Sequence, residues 1–200
     1  MSTPPLHPST PALAASLIDD PFYQAVTIDF AHDAAARLTL LQHYLDCAVR
    51  DAQHGGLCHT PDDPRLGMAI WSLPRSPDAE AASARAKEAQ LAAVLGPRGM
   101  DNYHRIIAFM GPRASGAELA GAWYLSILGI APAAQGQGLG ARLLAPALAA
   151  ADEAGVACYL ETFSARNESF YARMGFRALA SDLEPVTGAP YTIMLRAAHG

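Results

Sequence analysis

The stretch Ile130-Ala131-Pro132-Ala133-Ala134-Gln135-Gly136-Gln137-Gly138-Leu139-Gly140-Ala141 decides how the chain is read. Before it, Trp123 to Ile130 is a continuous apolar run suited to a central strand. After it, Gly138 to Ala154 carries helical spacing, so the glycines fall where a strand turns into a helix. The first helical turn has N–H groups without intrahelical partners and the positive end of the macrodipole. Gly136, Gly138 and Gly140 remove the Cβ atoms that would hold an anion away from those donors. The segment reads as a pyrophosphate cradle, with a tight turn that binds nothing as the plainer alternative. A dinucleotide fingerprint also fits formally at Gly136, Gly138 and Ala141, with Glu161 near the roughly 20-residue spacing of a ribose ligand. Position opposes that nucleotide-binding redox reading. One short helix and an antiparallel pair follow, where a dinucleotide fold needs further right-handed strand–helix–strand units.

Downstream of the loop, Val156 to Phe163 reads as a strand and Asn167 to Met174 as a short helix closed by Gly175. Phe176 to Leu183 and Tyr191 to Arg196 read as strands joined by a turn at Thr187-Gly188. Upstream, Leu38, Leu41, Leu45 and Val49 give Ala34 to Gln53 an amphipathic helical stripe ended by Gly55-Gly56. Leu57 to Thr60 and Gly67 to Leu73 form a hairpin pattern around Pro61 to Pro64. Ser76-Pro77-Asp78 opens a helix that Gly96-Pro97 closes. Its apolar stripe is thin, mainly Ala with Leu91, Val94 and Leu95, which predicts a peripheral helix. Asp101 to Met110 reads as another helix, and Ala12 to Ile18 as a short helical segment. Met1 to Pro11 holds four prolines and is expected to be a loose tail.

The 200 residues, 51% apolar and 16% charged, fit one globular domain over residues 12–200 and exclude a disordered chain. A net charge of −5 argues against a nucleic-acid partner, which requires clustered cations. Cys47, Cys58 and Cys158 fit neither a zinc pattern nor a disulfide framework, so reduced, buried thiols and no metal are expected. The N-terminus lacks a signal-peptide pattern, and no run is long and apolar enough to span a bilayer, so a cytoplasmic protein without a membrane partner is expected.

Two blocks of residues resemble the acetyl-CoA-dependent N-acetyltransferase superfamily, GNAT. The family loop [QR]-x-x-G-x-[GA] is matched by Gln135, Gly138 and Gly140, after Ile130-Ala131-Pro132. Leu160-Glu161-Thr162, Asn167 and Phe170-Tyr171-Ala172-Arg173-Met174-Gly175-Phe176 follow in the family's order. The resemblance covers about residues 123–196 and is nearest to the puromycin N-acetyltransferase-like branch, which shares Pro146 inside the loop-borne helix. It implies an α/β (α+β) fold with a mixed, mostly antiparallel sheet and a splayed parallel pair. Two features depart from the family. The opening strand is hard to find, and Ala122 stands where many relatives have His.

The resemblance further implies acetyl transfer from acetyl-CoA to a primary amine of a small molecule by direct attack, in a monomer or homodimer. A non-catalytic acetyl-CoA sensor on the same scaffold is the other alternative. Leu128, Gly129 and Ile130 would hold the pantetheine arm. Gln135, Gly136, Gln137, Gly138, Leu139, Gly140 and Ala141 would hold the pyrophosphate, with Arg142 or Arg166 as local help, and Asn167 would contact the cofactor and cap its helix. Tyr171 would protonate the leaving thiolate, or pack on the sheet with its hydroxyl on cofactor or water. Glu161, read as the only acid near the mouth of the splayed strands, would take the amine's proton, bind the ammonium, or serve as a structural carboxylate on backbone N–H groups. His104 is the least remote histidine. Phe22, Tyr23 and Trp71 are the candidates for an acceptor pocket, with core packing as the default for each.

Overall fold

The computed structural model describes residues 5–199; residues 1–4 of the expected tail lie outside the described residues. The strands are β1 (Gly56–His59), β2 (Gly67–Ser72), β3 (Trp123–Ile130), β4 (Cys158–Thr162), β5 (Arg177–Leu183) and β6 (Pro190–Arg196). They form one sheet in the order β1-β2-β3-β4-β6-β5. The β3–β4 pair is parallel and the other pairs are antiparallel. This is the mixed, mostly antiparallel sheet expected from the sequence.

Two features of β3 shape the centre of this sheet. First, its pairing with β4 covers only Trp123 to Leu125, against Cys158 to Leu160. Beyond Leu125 the two strands part. Second, the β2–β3 register shifts at Ile70/Trp71, with Ile127 opposite Ile70 and Leu125 opposite Trp71. Ser126 is the extra residue, and its hydroxyl donates to the Ile70 carbonyl at 3.1 Å. A bulge inverts the in–out alternation of a strand. Accordingly Trp123 and Leu125 before it, and Leu128 and Ile130 after it, share one apolar layer, while Ile127 belongs to the other.

The first layer holds α6 (Leu139–Glu153) and α7 (Ala165–Arg173). Leu143, Leu144, Ala147 and Ala151 of α6 pack there against Trp71, Leu125 and Leu160. The opposite face is covered by α1 (Thr10–Leu17), α2 (Pro21–Val26), α3 (Ala34–Gln53), α4 (Pro77–Val94) and α5 (Pro97–Arg113). Leu41, Leu45 and Val49 of α3 are fully buried there, as the helical stripe predicts. The ends of α3 and β3 fall where the sequence places them. The other predicted elements are trimmed or extended by a few residues. For α5 the start moves to Pro97, because the Asp29 carboxylate accepts from the first-turn N–H groups of Arg98 and Gly99 at 2.9 and 3.0 Å. The six-residue α2 has no counterpart in the sequence reading; Asp20 caps it through the Phe22 N–H at 2.9 Å.

The expected loose tail is corrected over its described part. Ser9 and Thr10 are buried, and the His7 N–H donates to buried Asp46 at 2.8 Å. Cys158 is buried, but Cys47 and Cys58 are only half-buried; all three are free thiols. No helix among the described residues is long and apolar enough to cross a membrane.

Helix α1 reaches β3 through Gly129. A Cβ there would stand 2.6 Å from the Leu13 Cδ2 and from the Ser16 Oγ. Gly129→Val is expected to push α1 off the sheet and to cost about 1–3 kcal/mol, the range for overpacking a core. Urea unfolding of the variant and the parent measures this; an unchanged midpoint would remove the close approach as a constraint.

Candidate active site

Two concavities meet where β3 and β4 part. A groove of about 640 Å³ runs along the loop before α6, and a cavity of about 210 Å³ lies on the helical face of the sheet. Leu17, Asp20, Leu128, Asn167 and Tyr171 line both, so the two form one continuous passage.

The groove is built for an anion. Gly136 and Gly138 hold φ of 76° and 74°, a left-handed backbone that only glycine adopts without strain. Gly138 is the N-cap of α6 and supplies no side-chain cap, which leaves first-turn N–H groups directed at the groove. Leu128, Ile130, Gln135, Gly136, Gly138, Leu139, Gly140 and Ala141 line it. Gln135 and Gln137 brace the loop internally through the Ile130 and Ala133 carbonyls, at 3.0 and 3.2 Å. Gly140 has a packing reason of its own, since a Cβ would meet the Phe170 ring at 3.2 Å. Gln137 and Gly129 do not line the groove; Gly129 turns its open side to α1. Arg166 and Arg173 line it, whereas Arg142 does not.

The cavity brings acids and phenols together. Glu161 accepts a short hydrogen bond from the Tyr191 hydroxyl and a further one from Tyr124. The expected structural partners were backbone N–H groups, so the phenols replace them. Burial raises the Glu161 pKa, and the two phenol donors pull it back in part. Glu161 is not the only acid here: Asp20 and Asp51 also line the cavity. Burial lifts the Asp20 pKa to about 6, against the downward pull of the Phe22 and Tyr23 N–H groups. Only its capping pattern, Asp-Pro before a helix, was visible in the sequence.

Tyr171 lies half-buried on α7. Burial first, and the Asp20 charge second, push its pKa well above the ordinary phenol value. Asn167 is exposed in the first turn of α7; the N-cap is Ser164, so the capping role expected of Asn167 is corrected. Phe22 and Tyr23 line the cavity and meet edge to face at 5.1 Å between ring centres. Trp71 does not. It is fully buried on the opposite face of the sheet against α6, because it and Ile70 point to opposite sides of β2. His104 pairs with Glu88 at 2.7 Å on the surface, away from both concavities.

This passage, with a glycine loop before a helix on one side and a parted parallel pair at its centre, matches a known domain. The model described as the acetyltransferase (GNAT) domain matches residues 100–178. The match covers less than half of the chain, and it supports an acetyltransferase enzyme. Solved structures agree on the fold. The histone acetyltransferase HPA2 and related acetyltransferase from Corynebacterium glutamicum is 19% identical, with a TM-score of 0.64 over 96% of this chain and 90% of that one. Arylalkylamine N-acetyltransferase 2 from Aedes aegypti is 14% identical, with a TM-score of 0.63 over 96% and 94%. The polyamine N-acetyltransferase of Drosophila melanogaster is 12% identical, with a TM-score of 0.56 over 94% and 95%.

GNAT acetyltransferases use acetyl-CoA as co-substrate, and the groove of this acetyltransferase fits its chemistry. Around Gly136 and Gly138 nothing stands within 4 Å of where a Cβ would be, so the cradle is open to phosphate oxygens. No cluster of potential metal ligands occurs among the described residues.

Asp20 makes folding of this acetyltransferase depend on pH. Its carboxyl binds a proton more tightly folded, at about 6, than unfolded, near 3.8. Its contribution to stability is therefore present below the unfolded value and is lost as pH rises to about 6, a cost of roughly 3 kcal/mol. Asp20→Asn keeps an N-cap acceptor and removes the charge. Urea unfolding should find it more stable than the parent near pH ~8, with the gap closing near pH ~4.5. A gap independent of pH would show that the Asp20 carboxyl is not perturbed.

Proposed function

We propose that this acetyltransferase transfers an acetyl group from acetyl-CoA to the primary amine of a small molecule by direct attack. The observation that carries the proposal is the continuity of the anion-binding groove with an aromatic- and acid-lined cavity at Asp20, Leu128, Asn167 and Tyr171. A cavity of about 210 Å³ favours a compact acceptor over a peptide chain. The solved relatives that carry arylalkylamine and polyamine in their names point the same way.

Acetyl-CoA supplies the thioester; the residues of this chain set the rest. The loop N–H groups, with Arg166 and Arg173 beside them, hold the pyrophosphate. Backbone on the open edge of β3, at Leu128 to Ile130, holds the pantetheine arm, and an N–H of this edge stabilises charge building on the thioester oxygen. Glu161 draws the ammonium form of the acceptor into the cavity. Asp20, at the junction and with its pKa near neutrality, takes the proton the amine must lose before it can attack. Tyr171 stays protonated through the working pH range and presents an O–H to the sulfur as the carbon–sulfur bond breaks. Phe22 and Tyr23 form the wall against which an apolar or aromatic spacer packs.

A thiol-release assay against an amine panel that includes puromycin, arylalkylamines and polyamines tests the reading. Puromycin also tests the branch resemblance resting on Pro146. Acetylation confined to lysine-rich peptides would overturn the small-molecule assignment. Tyr171→Phe should lower kcat by about 10²-fold or more while acetyl-CoA binding stays near that of the parent. A chain that binds acetyl-CoA and releases no thiol with any amine would be a sensor. Asp20 must be ionised to act, so kcat/KM should rise with pH through about 6, and Asp20→Asn should flatten that limb.

A further inference from the structure

The chain contains one lysine, Lys87, on α4. The helix is alanine-rich and largely exposed, but Ser83, Lys87 and Leu91 stand one turn apart on its inward side. Leu91 is fully buried, Ser83 donates to Asp51, and Lys87 lines the cavity. Among the described residues its ammonium makes no ion pair or hydrogen bond; its nearest recorded partner is the Tyr103 ring, 5.8 Å from the centroid. The acid on that side is Asp51, and its charge is already engaged. Arg75 donates to both of its carboxylate oxygens at 3.0 and 3.3 Å. Lys87 is half-buried, and Asp51 supports its charge only through space, so the ammonium keeps its donors free for an anion brought by a ligand. Burial lowers the Lys87 pKa against the upward pull of the Asp51 charge.

Lys87 lines the cavity with Asp51 and does not line the groove. Ala52, the residue after Asp51 on α3, adjoins Gly56, which pairs with Ser72, which pairs in turn with Tyr124 at the start of β3. Leu128, at the junction with the groove, is four residues further along the strand, or about 13 Å at 3.3 Å per residue. Resting on the acetyltransferase reading above, we propose that the acceptor is a primary amine whose far end is anionic, and that Lys87 is its anion subsite. Asp20 and Glu161 take the ammonium end, Phe22, Tyr23 and Tyr44 flank the spacer, and Lys87 takes a carboxylate or phosphate.

The test compares phenethylamine with its para-carboxylated analogue in the parent, Lys87→Met and Lys87→Arg. The parent should prefer the carboxylated amine. Lys87→Met should lower kcat/KM for it by about tenfold or more, as expected for loss of a charge-assisted contact, and leave phenethylamine within about threefold. Lys87→Arg should recover part of the loss. Equal losses on both amines, or a parent preference for the neutral one, would overturn the proposal. Direct binding of para-ethylbenzoate, which has no amine to acetylate, gives a readout independent of turnover. It should bind the parent more tightly than Lys87→Met in the presence of CoA. If no amine releases thiol and this difference persists, the catalytic reading fails and the anion subsite stands; if thiol is released and the difference is absent, the subsite fails alone. Intact-mass detection of one acetyl group on Lys87 would also overturn it, by making Lys87 an acceptor itself.

Discussion

The parting of β3 from β4 after Leu125 is the constraint on which the rest of the site depends. Three residue pairs hold the strands together and then the ladder stops, leaving backbone groups of β3 from Ser126 onward without β4 as a partner. Unpaired backbone N–H and C=O groups in a sheet centre are costly unless water or a ligand takes them. The gap is therefore a place where an extended ligand is stabilised by main-chain hydrogen bonds in the manner of an added strand. The bulge at Ser126 works with it. By inverting the alternation it puts Tyr124 toward the cavity, then turns Leu128 and Ile130 toward the groove. Without that inversion, Leu128 could not line both concavities while Leu125 stays in the α6 layer.

The helical face closes the other side, and it does so with helices where the family resemblance leads one to expect a first strand. Helix α1 fits against β3 only because Gly129 has no side chain. Arg37 on α3 then fixes the turn between α1 and α2, donating to the Ile18 carbonyl at 2.7 Å and to the Thr27 hydroxyl at 2.8 Å. This turn is what carries Asp20 to the junction, where its carboxylate both starts α2 and faces the passage. One residue thus joins a folding role to a chemical one, and its raised pKa measures how far the fold has taken it from water.

Much of this was legible in the sequence, and the losses have physical causes. The strand of Trp123 to Ile130 and the helix of Ala34 to Gln53 are long and strongly patterned, and their ends carry clear stop signals. Helix α2 is six residues long and too short to show a period, so the sequence gives no sign that Asp20 is carried to the passage. Trp71 was legible as a strand residue but not as a residue of a given face, because facing depends on which strands flank it and on a bulge in its neighbour. In the sequence Gly140 shows anion access, and Gly129 shows a place on the strand beside the pantetheine arm. The fold adds that Gly140 admits the Phe170 ring and Gly129 admits α1, packing reasons that become visible only when the partner elements are in place.

Electrostatics along the passage resolve what a net charge of −5 left open. Glu161 and Asp51 lie in the cavity and Asp20 at the junction, while the groove offers uncharged N–H donors of the glycine loop with Arg166 and Arg173, and Asp19 and Asp20 on its far wall. The loop end of the channel thus suits an anion, and the acids at the junction suit a cation. The separation also orders the proton chemistry. A carboxylate in the open groove would lie near its ordinary pKa and be a weak base, whereas Asp20, held at the junction by the α2 cap, is lifted by burial toward the pH at which an amine must be deprotonated. The same low-dielectric wall that lifts Asp20 also holds Tyr171 protonated, so one environment raises both groups.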